Sequence, residues 1–323
     1  MRRTKLPVRI STESSLAYSR IPAARVFSIG GRASHRALQP QRQQHLRYLA
    51  INPPSLGRDG FSAISTADTH AQLEKVLTPS LLQGVRDFWF QHVPDEEHLI
   101  IPGESELQRW FFKDAEFDRG CVAQFHHVLE TIRHSNASVR GILAAAKPAS
   151  PLDWLSIILL LDQITRNCYR GDESAVVFRF FDPLAEEITL RAIEAGIPTQ
   201  SSPVRYRLSY RFWFLLPLMH SENIEIHNLA IRQHEQVAAD VDELIREDRD
   251  LQALNDDELM CRTVLLQQRG AAKKFLASIL DYEKRHQVVI ARFGRYPHRN
   301  KALGRAPTEE ETEYLENGGE VFG

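Results

Sequence analysis

The chain has 323 residues, 43% of them hydrophobic and 25% charged, which supplies material for a sizeable buried core and excludes disorder throughout. The formal net charge of -2 hides an uneven distribution: eleven basic residues face only Glu13 and Asp59 through Gly60, leaving 29 basic and 40 acidic residues in the remainder. A body of that sign repels phosphate backbones, so no nucleic-acid partner is expected.

The first 60 residues are Arg-rich, carry serines and are poor in acids, the composition of a mitochondrial transit peptide, and Arg25-Val26-Phe27-Ser28 is similar to a matrix-processing site. A mitochondrial matrix address is the expectation, with a basic tail on a cytoplasmic protein as the alternative. Gln39 to Thr69, with Pro53-Pro54, Gly57 and Gly60, reads as a linker, so the division is a leader and linker over residues 1–69 and one all-helical domain over 70–323.

From Thr78 onward successive helices are predicted. Thr78-Pro79 is an N-cap followed by proline at the first helical position. Ser105 with Gln108 is read as a capping box for the next helix. Phe117, Cys121, Phe125, Val128, Leu129 and Ile132 recur at steps of three and four, one buried helical face. Ser150-Pro151-Leu152-Asp153 opens a helix over Trp154 to Tyr169 that is apolar almost all round in its first half and is therefore central. Further helices are expected over Ser174 to Ala195, Tyr206 to Leu218, Ile224 to Ile245 and Glu258 to Phe293, the last with a break at Gly270, and Thr308 with Glu311 caps a short final one.

No segment alternates with period two for long enough to be a strand, so the fold class is all-α: helix pairs in a helical array or a compact bundle. Trp154 to Leu161, the most apolar stretch, is far shorter than the roughly 20 residues of a spanning helix, so no membrane insertion is expected. Cys121, Cys168 and Cys261 are widely spaced and sit in helical patterns, which disfavours a disulfide framework or a thiolate metal site.

Three stretches carry a resemblance. Val85-Arg86-Asp87-Phe88-Trp89-Phe90 with Trp110-Phe111-Phe112-Lys113-Asp114, then Leu159 to Gly171 reading LLLDQITRNCYRG, then Pro217 to Glu222 reading PLMHSE with Arg292 to Asn300 reading RFGRYPHRN, resemble in order the domain of unknown function 924 family. The resemblance implies an all-helical fold similar to tetratricopeptide-repeat arrays and brings no established activity. The family's central motif usually has Phe-Pro where Ile164-Thr165 stand here, so the central helix is expected to continue without a proline bend.

Asp162, Arg166 and Arg170 are spaced four apart and Tyr169 lies seven beyond Asp162, which puts all four on one face of the central helix, with Asn167 beside them. A half-buried arginine needs a partner. The bland account is an internal salt-bridge network, and the functional account is an anion pocket, since arginine presents a planar fork suited to carboxylate or phosphate. Arg292, Arg295, Arg299 and Asn300 could join it. His220, His286 and His298 are candidate proton carriers, with Glu222 as an orienting carboxylate and Ser221 read as the N-cap of the next helix. No cofactor and no metal are expected, because the histidines lack a metal-ligand spacing. The leading expectation is a protein that binds, or acts on, an anionic small molecule in an Arg/His-lined pocket. The alternative is a helical scaffold that holds a protein partner in a groove.

Overall fold

The computed structural model describes residues 66–322, and the leader, the processing site and most of the linker lie outside them. Helix α1 (Thr66–Val76) already occupies the last residues of the stretch read as linker. Every element among the described residues is helical or a turn. No described helix is long and apolar enough to cross a membrane.

Local chemistry sets most boundaries. Helix α2 (Pro79–Phe90) starts where Thr78 Oγ1 accepts from Leu81 N at 3.2 Å. After α3 (Glu96–Ile100), helix α4 (Glu104–Phe111) is capped differently from the expectation. Gly103 is the cap and the Glu106 carboxylate accepts its N–H at 2.8 Å, while Ser105 donates to Glu106. A charged acceptor on the last unpaired N–H displaced the Ser105/Gln108 box. Helix α5 (Ala115–His134) buries all six residues of its apolar period.

Helix α6 (Val139–Ala146) leads to the central helix, and α7 (Pro151–Leu159) opens on the Ser150–Asp153 capping box. The expected continuation through Thr165 occurs, but by way of a π-helical turn over Leu160–Ile164 that precedes α8 (Thr165–Cys168). The predicted helix over 174–195 is likewise divided: α9 (Ser174–Val176), a second π turn over Val177–Phe181, and α10 (Asp182–Glu194). Short helices α11 (Ile197–Gln200) and α12 (Ser202–Arg205) precede α13 (Leu208–Met219), then α14 (Ile224–Leu244). The break expected at Gly270 falls two residues earlier, at Gln268, between α15 (Asp256–Gln267) and α16 (Arg269–Phe293). Gly294, at φ 67°, ends α16 in the left-handed region and turns the chain into a loop with the single turn α17 (Asn300–Leu303), before α18 (Glu309–Glu316).

The core is built around α7 and α13. Leu155, Ile157, Leu159 and Leu161 are fully buried, as are Trp213 and Phe214. Trp213 meets Trp89 and Trp110 edge-on at 5.1 and 5.3 Å, and Trp110 Nε1 donates to the Trp89 carbonyl at 3.1 Å. Helix α7 packs on α2, α10 and α13, and α13 packs on α3, elements far apart in sequence. A nearest-neighbour stack makes no such contacts, so the tetratricopeptide-like array is not the arrangement seen.

Candidate functional site

The first π turn decides where Asp162 points. Widening one turn shifts every later side chain relative to a regular helix, and such turns recur at functional sites. Asp162 and Arg166 therefore face inward, but Tyr169 and Arg170 do not follow them: Tyr169 Oη donates to Glu130 at 2.6 Å and Arg170 pairs with Asp118 at 2.7 Å, both on α5. Asn167 turns back onto its own helix, donating to the Gln163 carbonyl and accepting from Arg170. The single-face expectation for the four residues is thus corrected.

Asp162 has 1% of its surface exposed. One carboxylate oxygen lies 2.7 Å from His220 Nδ1, at the C-terminal end of α13, and the other accepts from Gln163 Nε2 at 2.6 Å. Arg166 donates to the Asp162 carbonyl at 3.1 Å and to Asp182 Oδ1 at 2.7 Å. Asp182 follows the second π turn as the first residue of α10. Arg299, from the loop after α16, lies 3.3 Å from Asp182 Oδ2 and donates to the His220 carbonyl at 3.0 Å, with its guanidinium over the rings of Phe178 and Tyr296. Two carboxyl groups, two guanidiniums and one imidazole thus meet from four elements.

The electrostatics follow from burial. Burial opposes the Asp162 charge, but His220 and Arg166 outweigh it and bring its pKa down to about 2. Burial disfavours the Arg166 charge too, and Asp182 and Asp162 more than restore it. At His220 burial and the neighbouring Arg166 win over Asp162, so the imidazole pKa falls below its ordinary 6.5 and the ring is neutral at pH 7. With Nδ1 held by a carboxylate, its proton belongs there and Nε2 is the basic nitrogen. The His220 and Arg166 side chains keep 15% and 17% of their surface exposed, against 1% for Asp162 and 6% for Arg299, so the network is least covered on the His220–Arg166 side. Arg166 Nη2 makes no hydrogen bond and neither does Arg299 Nε, although both are buried.

The other candidates fall elsewhere. Arg292 pairs with Glu310 at the surface, and Arg295 binds Glu311 through two nitrogens at 2.6 and 2.7 Å. Glu222 does not orient His220: it accepts from Arg305 twice, at 2.6 and 3.0 Å, and from the Tyr296 N–H. Asn300 bridges Glu311 and Arg305. Ser221 is not the cap of α14, since Asn223 accepts from Glu225 N and Ser221 Oγ accepts from Asn223 N. His286 and His298 flank Tyr296 and Phe322, where burial lowers their pKa values to about 2 and about 4. Behind them a fully buried pair, His227 Nδ1 and Glu283 Oε1, meets at 2.7 Å.

Sequence reading missed Asp182. Its only signal was Asp-Pro before an apolar period, which is also how an ordinary helix starts. Ligand atoms of Asp162, Asp182 and His220 lie within 4.8 Å of one another, a spacing that would suit a cation. Arg166 and Arg299 already neutralise the carboxylates, and a dication placed among two guanidiniums would meet net repulsion. Cys121, Cys168 and Cys261 are buried thiols without disulfides, and burial pushes Cys168 and Cys261 up to about 12.

Fold and network together define an all-helical protein whose two π turns deliver a balanced ion cluster to the end of its central helix. Residues 85–319 match the family model described as bacterial protein of unknown function, DUF924, and the chain belongs to that family. A solved structure titled as a protein of unknown function, ATU0120 from Agrobacterium tumefaciens, is similar at 27% identity and a TM-score of 0.48, over 74% of this chain and 98% of that one. No curated protein matches.

Proposed function

We propose that the least covered edge of the network, His220 and Arg166, binds a small anion, and that His220 Nε2 serves there as a base. The observation that carries this reading is the imidazole held at Nδ1, 2.7 Å from buried Asp162, beside a guanidinium whose buried Nη2 lacks a hydrogen bond. The chemistry suited to it is proton abstraction from water or a hydroxyl next to a carboxylate or phosphate held by Arg166, as in acid–base hydrolysis. Charge balance adds a consequence. The resting network pairs two carboxyl groups with two guanidiniums, so an entering monoanion is neutralised most directly by a proton taken up at His220.

The test is a thermal-denaturation titration of the full chain with phosphate and with oxalate at pH 6 and pH 8. The melting temperature should rise with ligand, more at pH 6, and the rise should vanish in His220→Gln and Arg166→Lys proteins that retain their helical circular dichroism. Folded variants that respond as the parent does would refute the site.

A scaffold role is the second reading, favoured by one specific observation. Phe111 and Phe112, side by side at the C-terminal end of α4, are 48% and 68% exposed. The depressions of about 560 Å³ beside Glu222 and Ile290 and of about 390 Å³ beside Lys75 and Glu130 are also open rather than enclosed. A Phe112→Ser protein that loses a co-purifying partner while keeping the anion response would establish that role separately.

A further inference from the structure

The segment after α18 does not continue the helical packing. Gly318, at φ 77°, and Gly319 reverse the chain, and Gly319 passes so close to Tyr314 that an added Cβ would lie 2.5 Å from its carbonyl oxygen. The chain returns to α16, where Glu320 binds Arg285 through two nitrogens at 2.8 and 2.5 Å and its N–H donates to Tyr314 Oη at 2.7 Å. Val321 points outward, 63% exposed, and Phe322 points inward, 9% exposed. The Phe322 ring stacks on His286 at 3.5 Å, with Tyr282, Tyr296 and His298 around it at 5.9, 5.8 and 6.1 Å. This cluster is separate from the main core. An acidic residue at the rim, an outward residue and an aromatic anchor, in chain outside any helix, is how a short peptide is read by a pocket with a cationic rim.

We propose that the cage of Tyr282, His286, Tyr296 and His298, with Arg285 at its rim, is a binding site for a peptide of acidic–x–aromatic pattern, and that residues 320–322 are its intramolecular occupant. The tether supplies an effective concentration of order mM, so a free peptide competes poorly until the tethered one is weakened. The anchor is one side chain, one partly exposed ion pair and one backbone hydrogen bond to Tyr314, which makes release local and leaves the main core intact. The proposal does not depend on the reading of His220 and Arg166.

The probe is a fluorescein-labelled peptide Asn-Gly-Gly-Glu-Val-Phe-Gly, the sequence of residues 317–323, titrated by anisotropy against the full chain. A Glu320→Ala/Phe322→Ala protein should bind it at least tenfold more tightly than the parent does. Arg285→Ala added to that background, or alanine in place of the peptide's phenylalanine, should abolish binding. A folded double variant that binds no better than the parent overturns the proposal. Should that variant unfold, Glu320→Lys keeps the anchor and reverses the rim charge. It should then take up the peptide several-fold more tightly, and parity with the parent overturns the proposal equally.

Discussion

Asp162 is the side chain on which the network turns, because it is nearly without exposure and still holds a charge against His220 and Arg166. Asp162→Asn leaves Arg166 with one carboxylate fewer in a site that cannot hydrate it, and unfolding in urea at pH 7 should show a loss of about 3 kcal/mol. Its carboxyl pKa lies near 2, below the ordinary 3.8, so the stabilisation is complete above about pH 4 and is lost as pH falls toward 2. The difference between parent and variant should therefore be constant from pH 7 to about pH 4 and narrow below it. At this scale the sequence was half legible. Spacing of four placed Asp162 and Arg166 together, and His220 was a visible proton carrier. Nothing in the residues indicated that Asp182, twenty positions on, would be the carboxylate between two arginines.

Helices were legible wherever capping chemistry and apolar period agreed, as at Thr78, Ser150 and Thr308. Ser150 Oγ accepts from Asp153 N while Asp153 accepts from Ser150 N and from Arg86, so Ser150→Ala should cost about 1 kcal/mol in chemical denaturation. The π turns were not legible, since periodicity over a fully apolar helix is blind to one wide turn. Thr165 Oγ1 donates to the carbonyls of Leu161 and Asp162, at 2.8 and 2.9 Å, within that turn. Thr165→Val keeps the shape and removes the donor. The expected loss is about 1–2 kcal/mol, with His220 freed to titrate at a different pH by nuclear magnetic resonance. An unchanged His220 titration would mean that the turn does not set the dyad.

Across the whole molecule the buried histidines set the acid limit. Burial holds His234 at about 4, with Arg211 adding to the effect, and holds His298 at about 4 and His286 at about 2, all below the ordinary 6.5. Unfolded chains take up these protons below pH 6.5 while the folded protein does not, so stability falls from there toward pH 4, at about 1.4 kcal/mol per pH unit for each such group. A series of urea unfolding curves from pH 7.5 to pH 4 should show this slope, and His234→Met should make it shallower by about one proton.

The all-helical class, most helix ends and the burial of the apolar faces were determined by the sequence alone, because caps and periodicity act within a few residues. Family membership also followed from ordered local motifs. What the tertiary structure decided was pairing: that Arg170 meets Asp118, that Glu222 serves Arg305 rather than His220, and that Phe322 lies on His286. Charges and aromatic rings choose among many compatible partners, and only the packing of distant helices, together with two wide turns, selects which of them come within reach.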